Sequence, residues 1–210
     1  MEEFSSRNTK FATDTPQSVF QATSNGQNPS AYMIGCSDSR VPLTSIFNSG
    51  IGEIFESRNI ANQFNPNSTE SVSALGYAVK VLNVPQVVVV GHEGCGGCAH
   101  ALEEAMLEAE GNSKPHSNDW TSHLISFTSQ IKLLAHSESL DFSEVNKTSN
   151  ELQLSNLVDV NVRSQVNEIA RNQVVQSTWA EGKKLAIHGL VYDINTGKLR
   201  SVVTRTGNSS

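Results

Sequence analysis

Four consecutive valines, Val87–Val90, run into Gly91-His92-Glu93-Gly94-Cys95-Gly96-Gly97-Cys98. Behind Gln86, a β-branched run this short reads as a strand buried on both faces, the kind found inside a parallel sheet. Beyond it, Ala101, Leu102, Ala105, Met106 and Ala109 recur at the spacing of an amphipathic helix over 99–109. His92 and Cys95 therefore stand where a strand hands over to a helix, close enough in sequence for imidazole and thiolate to converge. Zinc favours that pair and takes three or four such ligands, so the others must come from elsewhere in the chain.

The remaining pattern says where. Ala31–Gly35 is a first apolar strand that empties into Cys36-Ser37-Asp38-Ser39-Arg40, and Pro42 suits the first turn of a helix. A second strand is expected over 52–58. A helix is expected over 71–82, with Val72, Leu75, Val79 and Leu82 on one face. Residues 110–122 read as a loop and 125–150 as short helices. Val158, Val162, Val166 and Ile169 mark a long helix, and residues 184–193 a strand. Asn195-Thr196-Gly197-Lys198 carries hairpin-turn chemistry into a final strand over 199–204. Strands alternating with helices predict an α/β fold, a mainly parallel central sheet flanked by helices. Sites in such sheets form at strand carboxyl ends where the strand order reverses. If the strands ending at Cys36 and His92 are neighbours there, Cys36, His92 and Cys95 meet. The polar stretch 1–30, with a short helix near 15–22, reads as an amino-terminal arm that packs on a second subunit. Residues 31–210 read as a single α/β zinc-enzyme domain.

Composition narrows the partners. A net charge of −6 argues against nucleic acid or an anionic membrane. Nothing approaches a spanning apolar run, and the acidic start Met1-Glu2-Glu3-Phe4-Ser5 fits neither a secretory signal nor a transit peptide. Three cysteines suit a reducing compartment in which thiols serve as ligands, so a cytoplasmic protein is expected, a trimmed targeting segment being the alternative.

Each candidate has a plainer reading. Cys36 alone would simply pack, but a polar run directly after a buried strand is a poor place for a packing residue. Asp38 and Arg40 are spaced to pair in an extended loop; Asp38 alternatively caps the helix at Pro42. His92 is otherwise a core histidine. Glu93 is a first-turn residue favoured by the helix dipole and is given no catalytic role. Cys98 has two rival readings: a fourth ligand closing a structural zinc site in a non-catalytic binding module, or a redox partner of Cys95. Counted as helix, Cys98 lies about 240° round from His92, which favours packing. His100, His116, His123 and His136 are expected at the surface and His188 in the interior. Three protein ligands leave a corner of zinc for water, whose pKa falls toward ~7, so that hydroxide is available as a nucleophile. Asp38, held by Arg40, then accepts that hydroxide's hydrogen bond, or switches the site off by swinging onto the metal.

Taken together, Cys36-Ser37-Asp38-Ser39-Arg40, Arg58-Asn59-Ile60-Ala61-Asn62 and His92-x-x-Cys95-Gly96-Gly97 resemble the motifs of the β-class carbonic anhydrases in content, order and separation. Asn161-Val162 with Gln165-Val166, and His188–Ile194 with Thr196-Gly197, support the match, which spans roughly 27–204. The resemblance implies zinc on Cys36, His92 and Cys95, an Asp38–Arg40 pair, and reversible hydration of carbon dioxide to bicarbonate and a proton. It also implies a homodimer or homotetramer with the site at the subunit boundary, and substrate contacts from Gln27, Ile60, Tyr77, Gly96 and Gly97. Some members carry an inhibitory bicarbonate site built from a tryptophan, an arginine and a tyrosine. Arg58 and Tyr77 match that set, whereas Met33 holds the tryptophan position, which favours an open zinc. Glu93 replaces the usual Ser or Thr, Pro42-Leu43-Thr44 lacks an acidic residue, and Ile51-Gly52 replaces Pro-Gly. Relatives on this scaffold that hydrolyse carbonyl sulfide or carbon disulfide make a carbonyl sulfide hydrolase the alternative.

Overall fold

The computed structural model describes residues 1–109, 111, 131 and 147–207. The loop expected over 110–122 and most of the short-helix stretch expected over 125–150 lie outside the described residues, as do His116, His123 and His136. Five strands form one sheet: β1 (Ala31–Cys36), β2 (Ile54–Asn59), β3 (Gln86–His92), β4 (Ala186–Asp193) and β5 (Lys198–Thr206). Their spatial order is β2-β1-β3-β4-β5. β1 pairs in parallel with β2 and β3, and β3 with β4, while β5 returns antiparallel through the Asn195–Gly197 turn. Burial follows position. β1 and β3 are covered on both faces, which is why their sequences are unbroken apolar runs. The edge strands β2 and β5 alternate or face solvent.

From β1 the chain moves outward to β2, then crosses back to β3 and continues the other way to β4. The carboxyl ends of β1 and β3 are therefore where the connections part, as expected at a switch point. The helices that make these crossings are α3 (Leu43–Ile46), α4 (Thr69–Gly76), α5 (Gly96–Ala109), α6 (Lys147–Arg171) and α7 (Gln173–Ala180). α6 lays Val158, Val162, Val166 and Ile169 against the sheet, all fully buried, the stripe expected from their spacing. The larger core lies on that face, with Tyr32, Ile34, Val87, Val89, Leu75 and Ile187; a smaller one on the other face gathers Met33, Val41, Leu43, Val88 and Val90.

Several elements depart from expectation. The arm holds two helices, α1 (Glu2–Asp14) and α2 (Gln17–Ser24), where one was anticipated. α1 buries no side chain, so it lacks the apolar stripe that sequence reading needs. The helix expected over 71–82 ends as α4 at Gly76 and continues as a wider π turn over Tyr77–Val81. Pro42 precedes α3 at its N-cap rather than entering the first turn. α7 was not anticipated; Asn172 caps it by accepting the Val174 amide at 3.0 Å. No helix among the described residues is long and apolar enough to cross a membrane.

Candidate metal centre

Cys36 closes β1, His92 closes β3, and Cys95 follows one turn later, just before α5 begins. Gly94, at φ +63°, supplies the left-handed residue that lets the chain reverse between His92 and Cys95. The ligand atoms of Cys36, His92 and Cys95 all lie within 4.8 Å of one another, and all three residues are buried. The convergence expected from the switch point is thus present.

Two features of the triplet fit a metal ion. His92 Nδ1 lies 3.0 Å from the Glu93 carbonyl, which fixes the proton on Nδ1 and leaves the Nε2 lone pair free. That Nε2 is buried without a hydrogen-bond partner among the described residues, an orphan that a cation would satisfy. The sulfurs make the second case. The Cys95 thiol, followed by burial, pushes Cys36 up to about 12. Cys95 also rises to about 12: contact with Cys36 favours its ionisation, but Cys98 beside it and burial outweigh that. Two thiols that resist ionisation so close together give up their protons to a divalent metal, and a soft S/N/S donor set selects zinc over magnesium or calcium.

Asp38 stands at the rim, its Oδ2 3.8 Å from His92 Nε2. Arg40 grips it in a fork, Nε donating to Oδ1 at 3.0 Å and Nη2 to Oδ2 at 2.6 Å, while the Arg40 amide donates to Oδ1 at 2.9 Å. These bonds hold the carboxyl well below the usual carboxylate range, Arg40's side chain being the main cause. The carboxylate is committed to Arg40 rather than to capping α3, which has no side-chain cap. The same guanidinium reaches the Gly94 carbonyl at 3.3 Å, tying the Asp38 loop to the His92–Cys95 turn. Arg58 braces the loop from β2, donating to the Cys36 carbonyl at 2.9 Å and the Asp38 carbonyl at 2.8 Å.

Cys98 is buried beside Cys95 but outside the converging triplet, and it accepts a weak hydrogen bond from Asn161 Nδ2 at 3.9 Å. The angular count from His92 does not apply, because α5 starts only at Gly96. Glu93 has a use that sequence reading missed: Arg200 from β5 donates to it at 2.8 Å and to both oxygens of Asp159 on α6, at 2.5 and 2.8 Å. Two oppositely charged residues 107 apart leave no local signal. His188 bonds Thr204 across the hairpin. His100 is half-buried rather than on the surface, with its Nε2 buried and unpartnered among the described residues.

Of the expected substrate contacts, Gly96 and Gly97 directly follow Cys95, and Ile60 packs against Gly97. A Cβ on Gly97 would stand 2.7 Å from Ile60 Cγ2, so only glycine permits this approach. Gln27 is exposed on the arm, and Tyr77 is 46% exposed, its ring tilted against Phe55 with centroids 5.9 Å apart. Phe55 in turn rests on Tyr32 of the larger core, whereas Met33 belongs to the smaller core on the opposite face. The chain therefore does not bring Tyr77 and Met33 together.

A switch-point sheet with a buried Cys–His–Cys triplet and an arginine-held aspartate at its rim defines an α/β protein with a candidate metal site. The carbonic anhydrase family model matches residues 31–199. A carbonic anhydrase of Emericella nidulans is 33% identical over 87% of this chain and 73% of its own length, and one of Saccharomyces cerevisiae 32% identical over 86% and 77%. Among solved structures, a Coccomyxa β-carbonic anhydrase in complex with acetazolamide superposes with a TM-score of 0.84 at 26% identity, covering 98% of this chain and 87% of that one. One of the tetrameric β-carbonic anhydrases of Sordaria macrospora gives 0.80 at 27% identity, covering 97% of each. The chain belongs to the β class of the carbonic anhydrase family.

Proposed function

We propose that the chain catalyses the reversible hydration of carbon dioxide to bicarbonate and a proton, with zinc held by Cys36, His92 and Cys95. The observation that carries this reading is the buried triplet with an orphaned His92 Nε2 and the Asp38 carboxylate 3.8 Å from it. When bound, zinc supplies a Lewis acid that makes water a nucleophile near neutral pH. Asp38, kept ionised by Arg40, is an acceptor only, so it orients the reacting water through its O–H and presents a lone pair to the substrate carbon. One carbon–oxygen bond forms as a C=O π bond of carbon dioxide opens onto its oxygen, and the water's O–H bond breaks with its proton passing to solvent. Ile60 and Gly97 offer a narrow, partly apolar wall suited to a small linear substrate.

Gln27 is exposed on the arm and Tyr77 half-exposed beside Phe55, which supports substrate contacts made in a neighbouring subunit's site and a homodimer or homotetramer as the working unit. The arm supports this: α1 buries nothing, and Phe4 and Phe11 are exposed on it. The experiment is metal analysis with parallel carbon dioxide hydration and carbonyl sulfide hydrolysis on one preparation. Hydration with about one zinc per chain is expected. Sulfide release with negligible hydration would make the chain a carbonyl sulfide hydrolase instead. Zinc lost on Cys98→Ser would replace the open site by a closed structural one.

A further inference from the structure

Beneath the site lies a set of buried amides that the metal chemistry does not use. Gln63, Asn161 and Gln165 are all buried, the last two on α6. Gln63 Nε2 donates to the Ala61 carbonyl and to Asn161 Oδ1, both at 2.7 Å. Gln165 Nε2 donates to Gln63 Oε1 at 3.2 Å and to Asn161 Oδ1 at 3.1 Å. Asn161 Nδ2 donates to the Ala61 carbonyl at 3.0 Å and to Cys98 Sγ. Gln165 Oε1 accepts the Phe64 amide at 2.8 Å. Each amide nitrogen thus uses both hydrogens, and the three form a closed, satisfied network, the kind that fixes one geometry.

What the network grips is an awkward turn. Ala61 and Asn62 both have positive φ, 57° and 51°, a conformation that asparagine tolerates but that is disfavoured for alanine. The Ala61 carbonyl accepts from two of the three amides, and Asn59 closes the turn from outside by exchanging hydrogen bonds of 2.7 Å with the Gln63 backbone. The turn starts beside a ligand: Asn59 is aligned with Cys36, and the Asn59 carbonyl accepts the Ser37 amide at 2.8 Å. Its first two residues, Ile60 and Ala61, pack against Gly97, two residues past Cys95.

We propose that the Gln63–Asn161–Gln165 cluster is a positioning device that holds the Ile60–Asn62 turn in its left-handed shape and so sets where Ile60 walls the substrate space. This rests on the reading of the site as a carbon dioxide hydratase. The three amides touch neither metal nor substrate; they act through the turn. Relaxing the turn withdraws the wall while leaving Cys36, His92 and Cys95 in place, so the defect falls on substrate use rather than on metal retention.

The test compares the wild type with Gln165→Met, measuring zinc content, hydrogen exchange at the Phe64 amide, and KM and kcat for carbon dioxide. The expected result is equal zinc, about tenfold faster exchange at Phe64, and kcat/KM lower by about tenfold, mainly through KM. Adding Ala61→Gly, which adopts the left-handed turn unaided, recovers at least half of the loss. A Gln165→Met enzyme with wild-type KM and kcat, a loss that tracks zinc loss alone, or no recovery with glycine overturns the proposal. If Gln165→Met does not fold, Gln63→Met, which keeps the Phe64 acceptor, is judged by its zinc content, its KM–kcat split and its recovery with Ala61→Gly. A wild type silent toward carbon dioxide overturns the functional reading and this one with it, whereas an active wild type matched by the variant overturns this one alone.

Discussion

In the proposed reaction, Asp38 is the rim side chain that faces the reacting water, 3.8 Å from His92 Nε2 and held by Arg40. Asp38→Asn keeps the shape but converts an acceptor into a group that also donates, and it breaks the fork with Arg40. Turnover is expected to fall about 10–100-fold with zinc content unchanged, read by hydration kinetics and metal analysis on the same sample. The pair also sets an acid dependence. Asp38's folded pKa is depressed, so its contribution to stability is fully present above the unfolded value near ~3.9 and is lost as pH falls through the folded value. The stability difference between the wild type and Arg40→Ala is therefore expected at neutral pH and vanishes in strong acid; a difference that grows on acidification contradicts the assignment. Cys36 and His92 were legible because each closes an apolar strand, and Cys95 because it follows His92 by three residues. Arg200 and Gln63 were not, because Glu93 lies 107 residues from Arg200 and Asn161 lies 98 from Gln63, separations that leave no periodic trace.

At the scale of elements, the central strands announced themselves through unbroken apolar runs, and α6 through the stripe of Val158, Val162, Val166 and Ile169. α1 did not, since its stability rests on local pairs, Arg7 with Glu3 and Lys10 with Asp14, rather than on a buried face. α7 escaped notice because Asn172, its cap, follows α6 almost directly. Asn172→Ala is expected to cost about 1 kcal/mol, seen as a lower urea midpoint with an unchanged slope. Gly97→Val drives a branched side chain into Ile60 and the Ala61 Cβ, which a Gly97 Cβ would already meet at 3.0 Å. A destabilisation of about 1–3 kcal/mol is expected, together with a loss of hydration larger than the loss of zinc. Unchanged activity would show that the close approach of the Ile60 turn to α5 is not needed.

Across the whole molecule, the order β2-β1-β3-β4-β5 puts two strand ends beside each other at the point where their connections diverge, and the metal triplet occupies that point. Helix α1 buries no side chain and leaves Phe4 and Phe11 exposed, so the proposed assembly is tested there. Replacing Phe4 and Phe11 together by serine is expected to shift the sedimentation profile from dimers or tetramers toward monomers. A profile unmoved by that change would take the arm out of assembly. The most direct test of the central claim is carbon dioxide hydration measured by stopped flow before zinc removal, after it, and after zinc is restored. Activity that disappears with the metal and returns with it is the expected result; a fully zinc-loaded protein that does not hydrate carbon dioxide, or one whose activity ignores the metal, would contradict it.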